Sequence, residues 1–258
     1  MKYIKKADVF SGRAMLDFSV YTNKGGREVN EDTALCSEKE DRACFVLCDG
    51  LGGHGMGDEA SSLVAKLIIE EFESSKDNEK LLEHAFLNAQ NGLIKDQIKR
   101  HAQKKMKTTA VVLLTDPEYA RIGFVGDSRL YIFDKKGIKK RTLDHSVPQM
   151  LVYSRQIKEE DIRNHPDRNR LMRVMGIEWD EPMYELLKPE KIKKCRAFLL
   201  CSDGFWECIK EEQMEKALSE ADSADEWMEK MLETVTSGDL KKPSDMDNYT
   251  AIAVINKV

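Results

Sequence analysis

The sequence predicts an α+β protein: antiparallel sheets with helices packed outside them. Three observations carry that reading. Short apolar runs bounded by Gly, Asp or Pro recur along the chain, and such runs mark buried strands more than helices. Two helical stripes follow one another with no strand between them. The order of strands, helix pair, meander, irregular insert, strand, helices and final strand lacks the one-for-one alternation of a doubly wound parallel sheet.

The strand candidates are residues 43–48 (ACFVLC), 109–114 (TAVVLL), 130–133 (LYIF), 197–201 (AFLLC) and 251–255 (AIAVI). Asp134-Lys135-Lys136-Gly137 is a turn between two strands of the meander. In the first helix Ala60, Leu63, Val64, Leu67, Ile68 and Phe72 recur at three- and four-residue spacing. Leu82, Phe86, Ala89 and Leu93 do the same in the second, so both stripes face a core. From Ser146 to Gly176 the chain turns polar and irregular, with two short helical stretches expected around His165-Pro166. Residues 211–219 and 224–236 read as further helices, and a polar loop, 237–248, leads into the last strand. With no repeat, low-complexity tract or linker, one domain over residues 1–258 is expected.

Composition narrows the function classes. A chain of 258 residues can bury roughly three quarters of its unfolded surface. Its balance of 41% hydrophobic and 34% charged residues is that of a soluble globular protein. The 41 basic and 46 acidic residues give a net charge of -5, which argues against a nucleic-acid partner. No apolar run approaches the ~20 residues that span a bilayer. Residues 1–10 hold three lysines with no apolar stretch behind them, so no signal peptide is expected. None of the six cysteines forms a CxxC pair, and Cys44, Cys48 and Cys201 lie inside apolar runs as small buried hydrophobes. A reducing, cytoplasmic location fits.

The informative pattern is acidic. Asp49 follows FVLC, Asp127 follows GFVG, Asp203 follows LLCS, Asp247 precedes AIAVI, and Glu31-Asp32 precedes Thr33. One such aspartate is an ordinary turn residue. Five positions at the ends of buried strands point to a site at a sheet rim, where loops build sites. Gly50 and Gly204, directly after Asp49 and Asp203, let the backbone come close to whatever the carboxylate holds. Converging carboxylates repel unless a cation reconciles them. Oxygen donors without histidine select Mg2+ or Mn2+. Two such ions would activate a water and clamp a phosphoryl oxygen, which suggests phosphate-ester hydrolysis without a covalent enzyme intermediate. Arg27, four residues before Glu31, offers a guanidinium that can hold phosphate with two parallel hydrogen bonds.

These residues resemble the metal-dependent serine/threonine protein phosphatases of the protein phosphatase 2C (PPM) type, especially the bacterial-type members. Residues 27–32 (REVNED) and 46–54 (VLCDGLGGH) are similar to the first two family motifs. Thr108-Thr109-Ala110, Gly126-Asp127-Ser128-Arg129, Asp144-His145-Ser146, Ser202-Asp203-Gly204 and Asp247-Asn248 follow in the family's order. His165-Pro166, Arg168-Asn169 and residues 171–176 (LMRVMG) match the segment after the family's flap.

The resemblance implies a four-layer αββα sandwich, two antiparallel β-sheets flanked by helices, with a flap at about residues 146–176. It implies that Asp49 bridges two Mg2+ or Mn2+ ions, that Asp203 and Asp247 complete one site, and that Glu31 and the Gly50 carbonyl serve the other. Asp127, with Asp203, would hold a third, weaker ion. Asp32 would act through a metal-bound water, and Arg27 would grip the phosphate. It also implies phosphoprotein substrates and a cognate serine/threonine kinase; no nucleic acid or membrane partner is expected, and the chain is expected to be a monomer. Leu51 stands where animal members carry a histidine thought to protonate the leaving alkoxide, and His54 should not be given that role. A metal-bound water is then the expected proton source.

Rival readings fail on context. Residues 50–55 (GLGGHG) fit G-x-G-x-x-G after a strand, with Glu70 and Glu71 near the ribose-contact distance. Those glutamates lie inside a helix, a second helix follows, and no βαβ unit exists. A Walker A loop fails because Gly57 is followed by Asp58. A two-metal nuclease conflicts with the acidic balance. A catalytically dead binding module conflicts with the full set of acids plus Arg27. His84 and His101 read as exposed helix positions, Trp206 as packing at a strand-to-helix junction, and the twelve methionines as core filler. Met150, Met172 and Met175 are alternative candidates for an adaptable partner surface.

Overall fold

Strand β3 (Arg42–Asp49) is buried along its length up to its last residue because both of its faces are covered. Phe45 and Leu47 point into a cluster between two sheets, while Cys44, Val46 and Cys48 point outward against helices. Successive side chains of a strand alternate faces, so a strand packed on both sides reads as a continuous apolar run. That is the pattern of ACFVLC.

The computed structural model describes residues 16–51, 55–76, 78–237 and 243–257. Residues 1–10 and the Gly52-Gly53-His54 part of the second motif lie outside the described residues. One sheet has the order β1-β11-β10-β6-β7, the other β2-β3-β4-β5-β8 with β9 pairing β5. Besides β3, the strands of the two sheets are β1 (Leu16–Asn23), β2 (Asp32–Lys39), β4 (Ala110–Thr115), β5 (Tyr119–Val125), β6 (Arg129–Asp134), β7 (Gly137–Arg141), β8 (Glu185–Leu186), β9 (Glu190–Lys191), β10 (Ala197–Cys201) and β11 (Tyr249–Asn256). Every pairing is antiparallel. Helices α1 (Gly57–Ser74) and α2 (Leu81–Arg100) cover the β2–β5 sheet, with Val64, Ile68, Phe72 and Phe86 against Val112 and Leu114. On the opposite face α4 (Asp203–Trp206), α5 (Glu211–Ser219) and α6 (Ala224–Thr236) pack Trp206, Met214 and Trp227 against Tyr131, Phe133 and Leu199. The layers run helix, sheet, sheet, helix, which is the expected αββα sandwich.

Local chemistry sets the ends of these elements. Ser223 caps α6 by accepting the Glu226 N–H at 3.2 Å, satisfying one of the orphan donors of a helix start. His101 closes α2 in a left-handed conformation, φ 52°, so it is a C-terminal cap and not a helix position as the sequence suggested. In the insert, α3 (Val147–Tyr153) and a 3-10 turn at Glu159–Asn164 both precede His165. The sequence placed those two stretches around His165-Pro166, but the residue before a proline is biased away from helix. Met106, Met175, Met214, Met228, Met231 and Met246 are buried, whereas Met150 and Met172 are about half exposed and are not core filler.

The chain passes between the sheets four times, from β1 to β2, β5 to β6, β7 to β8 and β9 to β10, and the β1–β2 and β5–β6 crossovers both lie at the end where β3 finishes. Asp32 lies opposite Asp49, and Cys201 lies opposite both Ala251 and Arg129. This register brings the end of β3, the end of β10, the start of β11 and both crossovers to one rim. Among the described residues no helix is long and apolar enough to cross a membrane.

Phe45 sits between the sheets with its ring 5.3 Å from that of Phe18, edge-on. Phe45→Ala is expected to destabilise the fold by about 3–5 kcal/mol, measured by urea unfolding; a loss below about 1 kcal/mol would contradict this packing.

Candidate active site

Each acid is fixed by its backbone before its side chain acts. Asp49 ends β3, where its N–H donates to Thr109 Oγ1 at 3.0 Å and its carbonyl accepts from Thr108 Oγ1 and the Thr109 N–H, each at 2.8 Å. Gly50 follows, and a Cβ there would lie 2.2 Å from the Gly57 carbonyl oxygen and 2.8 Å from that of Glu31. Only glycine allows the β3 end, the α1 start and the Glu31 backbone to meet. Gly204 plays the same part beside Asp203, since a Cβ would lie 2.2 Å from the Asn248 carbonyl oxygen.

Asn248 staples the loop that carries Arg27 and Glu31. Its Nδ2 donates to the carbonyls of Lys24 and Val29, both at 2.9 Å, and its Oδ1 accepts the Glu31 N–H at 2.8 Å. Both of its amide hydrogens and its amide oxygen bond to another segment's backbone. Asp247, its neighbour, is thereby held against that loop.

Asp127 is held from behind. Trp206 Nε1 donates to its carbonyl at 3.1 Å, and the Arg129 guanidinium lies 3.4 Å from the centre of the Trp206 ring. Arg129 grips Asp144 with two parallel hydrogen bonds of 2.8 and 2.7 Å, and both side chains are almost fully buried. Next to it His145 Nδ1 accepts the Gly126 N–H at 3.1 Å while its ring stacks on Phe124. Trp206 does pack the strand-to-helix junction, and it also sets the position of Asp127.

The result is one cavity of about 280 Å³ lined by Arg27, Glu31, Asp49, Gly50, Asp127, Asp203 and Asp247, with Leu51, Asn169 and Leu171 beside them. Of the residues singled out in the sequence, only Asp32 is off this lining. It lies beneath, pairs with Asp49 across the strands, and accepts a 2.9 Å hydrogen bond from Ser202 Oγ. The residues that sequence reasoning left without a role are Asn169 and Leu171 from the 146–176 segment, and the supports Thr108, Thr109, Asn248, Arg129 and Asp144. Their motifs were visible, but which backbone each one braces depends on pairings 60 and more residues apart, as between Asp49 and Thr109.

Burial pushes the Asp49 and Asp203 carboxyls well above the ordinary carboxylate range, with the neighbouring acids adding to the effect. Burial likewise pushes Asp32 and Asp127 up to about 7. Glu31 is raised as well, again mainly by burial, against a backbone hydrogen bond from Gly57 that favours its charged form. Arg27 donates to Asp247 Oδ2 at 2.6 Å, so the arginine read as the phosphate grip here neutralises one of the acids. Among the described residues no three such side chains enclose a common point at ligand distance, though they share one cavity. Asp32 Oδ1 is buried without a hydrogen-bond partner. An all-oxygen donor set with an unsatisfied buried carboxylate oxygen fits a hard divalent cation and the polar ligands it carries.

A family model of protein phosphatase 2C matches residues 23–243. A serine/threonine phosphatase, Stp, of Listeria welshimeri is 30% identical over 210 residues, covering 78% of this chain and 81% of its own. The crystal structure of the serine/threonine phosphatase Stp1 from Staphylococcus aureus is 27% identical and superposes with a TM-score of 0.84, over 98% of this chain and 99% of that one. The catalytic domain of the phosphatase PstP, crystallised with two manganese ions, shares the fold at 23% identity and a TM-score of 0.77, over 93% and 98% of the two chains. The chain belongs to the protein phosphatase 2C family, the metal-dependent serine/threonine protein phosphatases, in its bacterial branch.

Two measurements check this site. Between the ordinary aspartate value of 3.8 and about 7, the folded chain holds protons on Asp32 and Asp127 that the unfolded chain has released. Their contribution to the stability of the cation-free protein therefore falls as pH rises through that window. A bound cation takes over from those protons, so the rise in Tm on adding Mn2+ is expected to widen from about pH 4.5 to about pH 7.5. Calorimetry showing a constant or narrowing gap would contradict it. Separately, Asp144→Ala removes both short hydrogen bonds from the buried Arg129 and leaves Glu211, at 3.8 Å, as its counter-charge, which should cost about 3 kcal/mol; a loss within about 1 kcal/mol in urea unfolding would remove Arg129–Asp144 as the support of the Asp127 turn.

Proposed function

We propose that this chain hydrolyses phosphoserine and phosphothreonine in proteins with a water activated at a binuclear Mg2+ or Mn2+ centre, and without a covalent enzyme intermediate. The observation that carries the reading is the shared cavity: Glu31, Asp49, Asp127, Asp203 and Asp247 come from five separate chain segments and line one space with Arg27. Two hard cations, when bound there, supply a water made nucleophilic at neutral pH and a positive clamp for the phosphoryl oxygens.

The chain's own residues divide the remaining work. Asp49 would be shared between the two cations, with Asp203 and Asp247 holding one and Glu31 and the Gly50 carbonyl the other. Asp127, with Asp203, is the candidate holder of a third, weaker ion. Asp32 is buried behind Asp49 with Oδ1 free to accept a hydrogen bond, which suits it to orient the attacking water. Arg27 is 59% exposed at the side chain, so it can turn from Asp247 to a phosphate and hold two of its oxygens. Leu51 lines the cavity and has no proton to give, so the leaving alkoxide takes its proton from solvent held in the site. Leu171 and Asn169 bring the 146–176 segment to the cavity edge as the flap. We take residues 1–258 as one catalytic domain that acts as a monomer, in the cytoplasm, on phosphoproteins made by a cognate kinase. The free cysteines are consistent with a reducing compartment.

The test is release of phosphate from phosphoserine and phosphothreonine peptides across a metal series. Activity is expected with Mn2+ or Mg2+ and none with EDTA. Asp203→Asn should lower kcat/KM at least about a hundredfold. Arg27→Ala should lower it about 10- to 150-fold by removing charged hydrogen bonds to phosphate. Metal-independent turnover, or an Asp203→Asn enzyme as active as the parent, would overturn the reading.

A further inference from the structure

The pole of the sandwich opposite the acidic rim is basic. The segments 134–140 and 188–196 carry nine Lys and Arg against two acids, in a chain whose net charge is -5. They meet because the β6–β7 hairpin turn and the short 3-10 turn Ile192–Lys194 before β10 lie at the same sheet end. Between them is a cavity of about 750 Å³ lined by Lys135, Lys136, Lys139, Lys193, Lys194 and Arg196, with Asp134 the one acid on its wall. Lys139 pairs with Glu190 at 2.7 Å and Arg196 donates to the Leu218 carbonyl at 2.9 Å. Lys135, Lys136, Lys193 and Lys194 are exposed, and among the described residues none of the four makes an ion pair. Strand β11 (Tyr249–Asn256), eight residues and about 26 Å long, lies between Asp247 at one rim and Asn256 at the other. The two sites are therefore distinct.

We propose that this basic cavity docks an acidic segment of a partner protein. Four like charges held near one another are costly unless an anion comes to them, and exposed pairs formed with carboxylates add up when several form together. Shape and chemistry choose a polypeptide over the other polyanions. The surface is concave, and none of the exposed large apolar side chains among the described residues lines it, so it lacks the apolar anchor that helps hold a protein on a bilayer. No aromatic ring lines it for base stacking. Asn256 also lines the cavity and is 8% exposed; its Nδ2 donates to the Ile192 and Cys195 carbonyls at 3.0 Å each, leaving Oδ1 without a donor.

The inference rests on charge and shape at this pole and not on the phosphatase reading. It is tested by fluorescence anisotropy with a labelled oligoglutamate peptide and the full chain. Binding is expected, weakening steeply with salt, and K135E/K136E/K193E/K194E should weaken it roughly tenfold or more. p-Nitrophenyl phosphate turnover by that variant should stay at the parent level, which also shows that it folds; K193A/K194A, a milder change, should weaken binding in the same direction. Peptide binding that is absent, or that survives both sets of substitutions, overturns the proposal. So does tighter binding to phosphatidylserine vesicles or to a single-stranded oligonucleotide than to the peptide.

Discussion

Mutual repulsion among buried carboxylates is the constraint to which this fold answers. Asp32, Asp49, Asp127 and Asp203 are all deeply placed at one rim, and each makes ionisation of the others harder. A fold left to minimise its own energy would not gather them. The surrounding backbone holds them there anyway: Thr108 and Thr109 clamp Asp49, Asn248 ties the Glu31 loop, and Trp206 braces Asp127. Stability is exchanged for a pre-organised place where positive charge is welcome, which is the usual bargain at a functional site.

The sandwich makes that gathering possible. Antiparallel pairing alternates strand direction, so each rim collects the end of one strand and the start of the next. The β1–β2 and β5–β6 crossovers between sheets add their loops to the same rim as the ends of β3 and β10. A parallel sheet would collect only strand ends there, with helices occupying the returns. The arrangement also explains why the helices carry so little of the chemistry. They cover outer faces and contribute starts, such as Gly57 near Glu31 and Asp203 as the first residue of α4, while strand ends and loops carry the other acids of the cavity.

Much of this was legible in the sequence, for a definite reason. An aspartate that closes a fully apolar run must sit at the edge of a buried strand, so Asp49 and Asp203 announced their level in the fold without any knowledge of pairing. The strands packed on both faces were equally plain. Strand β1, LDFSVYTN, was not, because polar residues break its apolar pattern; β8 and β9, two residues each, are too short to leave a signal. Long-range partners were also invisible. Nothing local says that Arg27 would lie on Asp247, 220 residues away, or that Arg129 would stack on Trp206. The His101 cap and the exposed Met150 and Met172 show the same limit, since composition and periodicity do not report which surface another segment leaves uncovered.

The acids of the cavity come from both sheets: Asp49 from the one containing β3, Asp203 and Asp247 from the one containing β10 and β11. Anything bound among them spans the seam of the sandwich and acts as a rivet between its halves. Such a rivet would add a polar fastening at the rim to the apolar cluster that already holds the two sheets face to face.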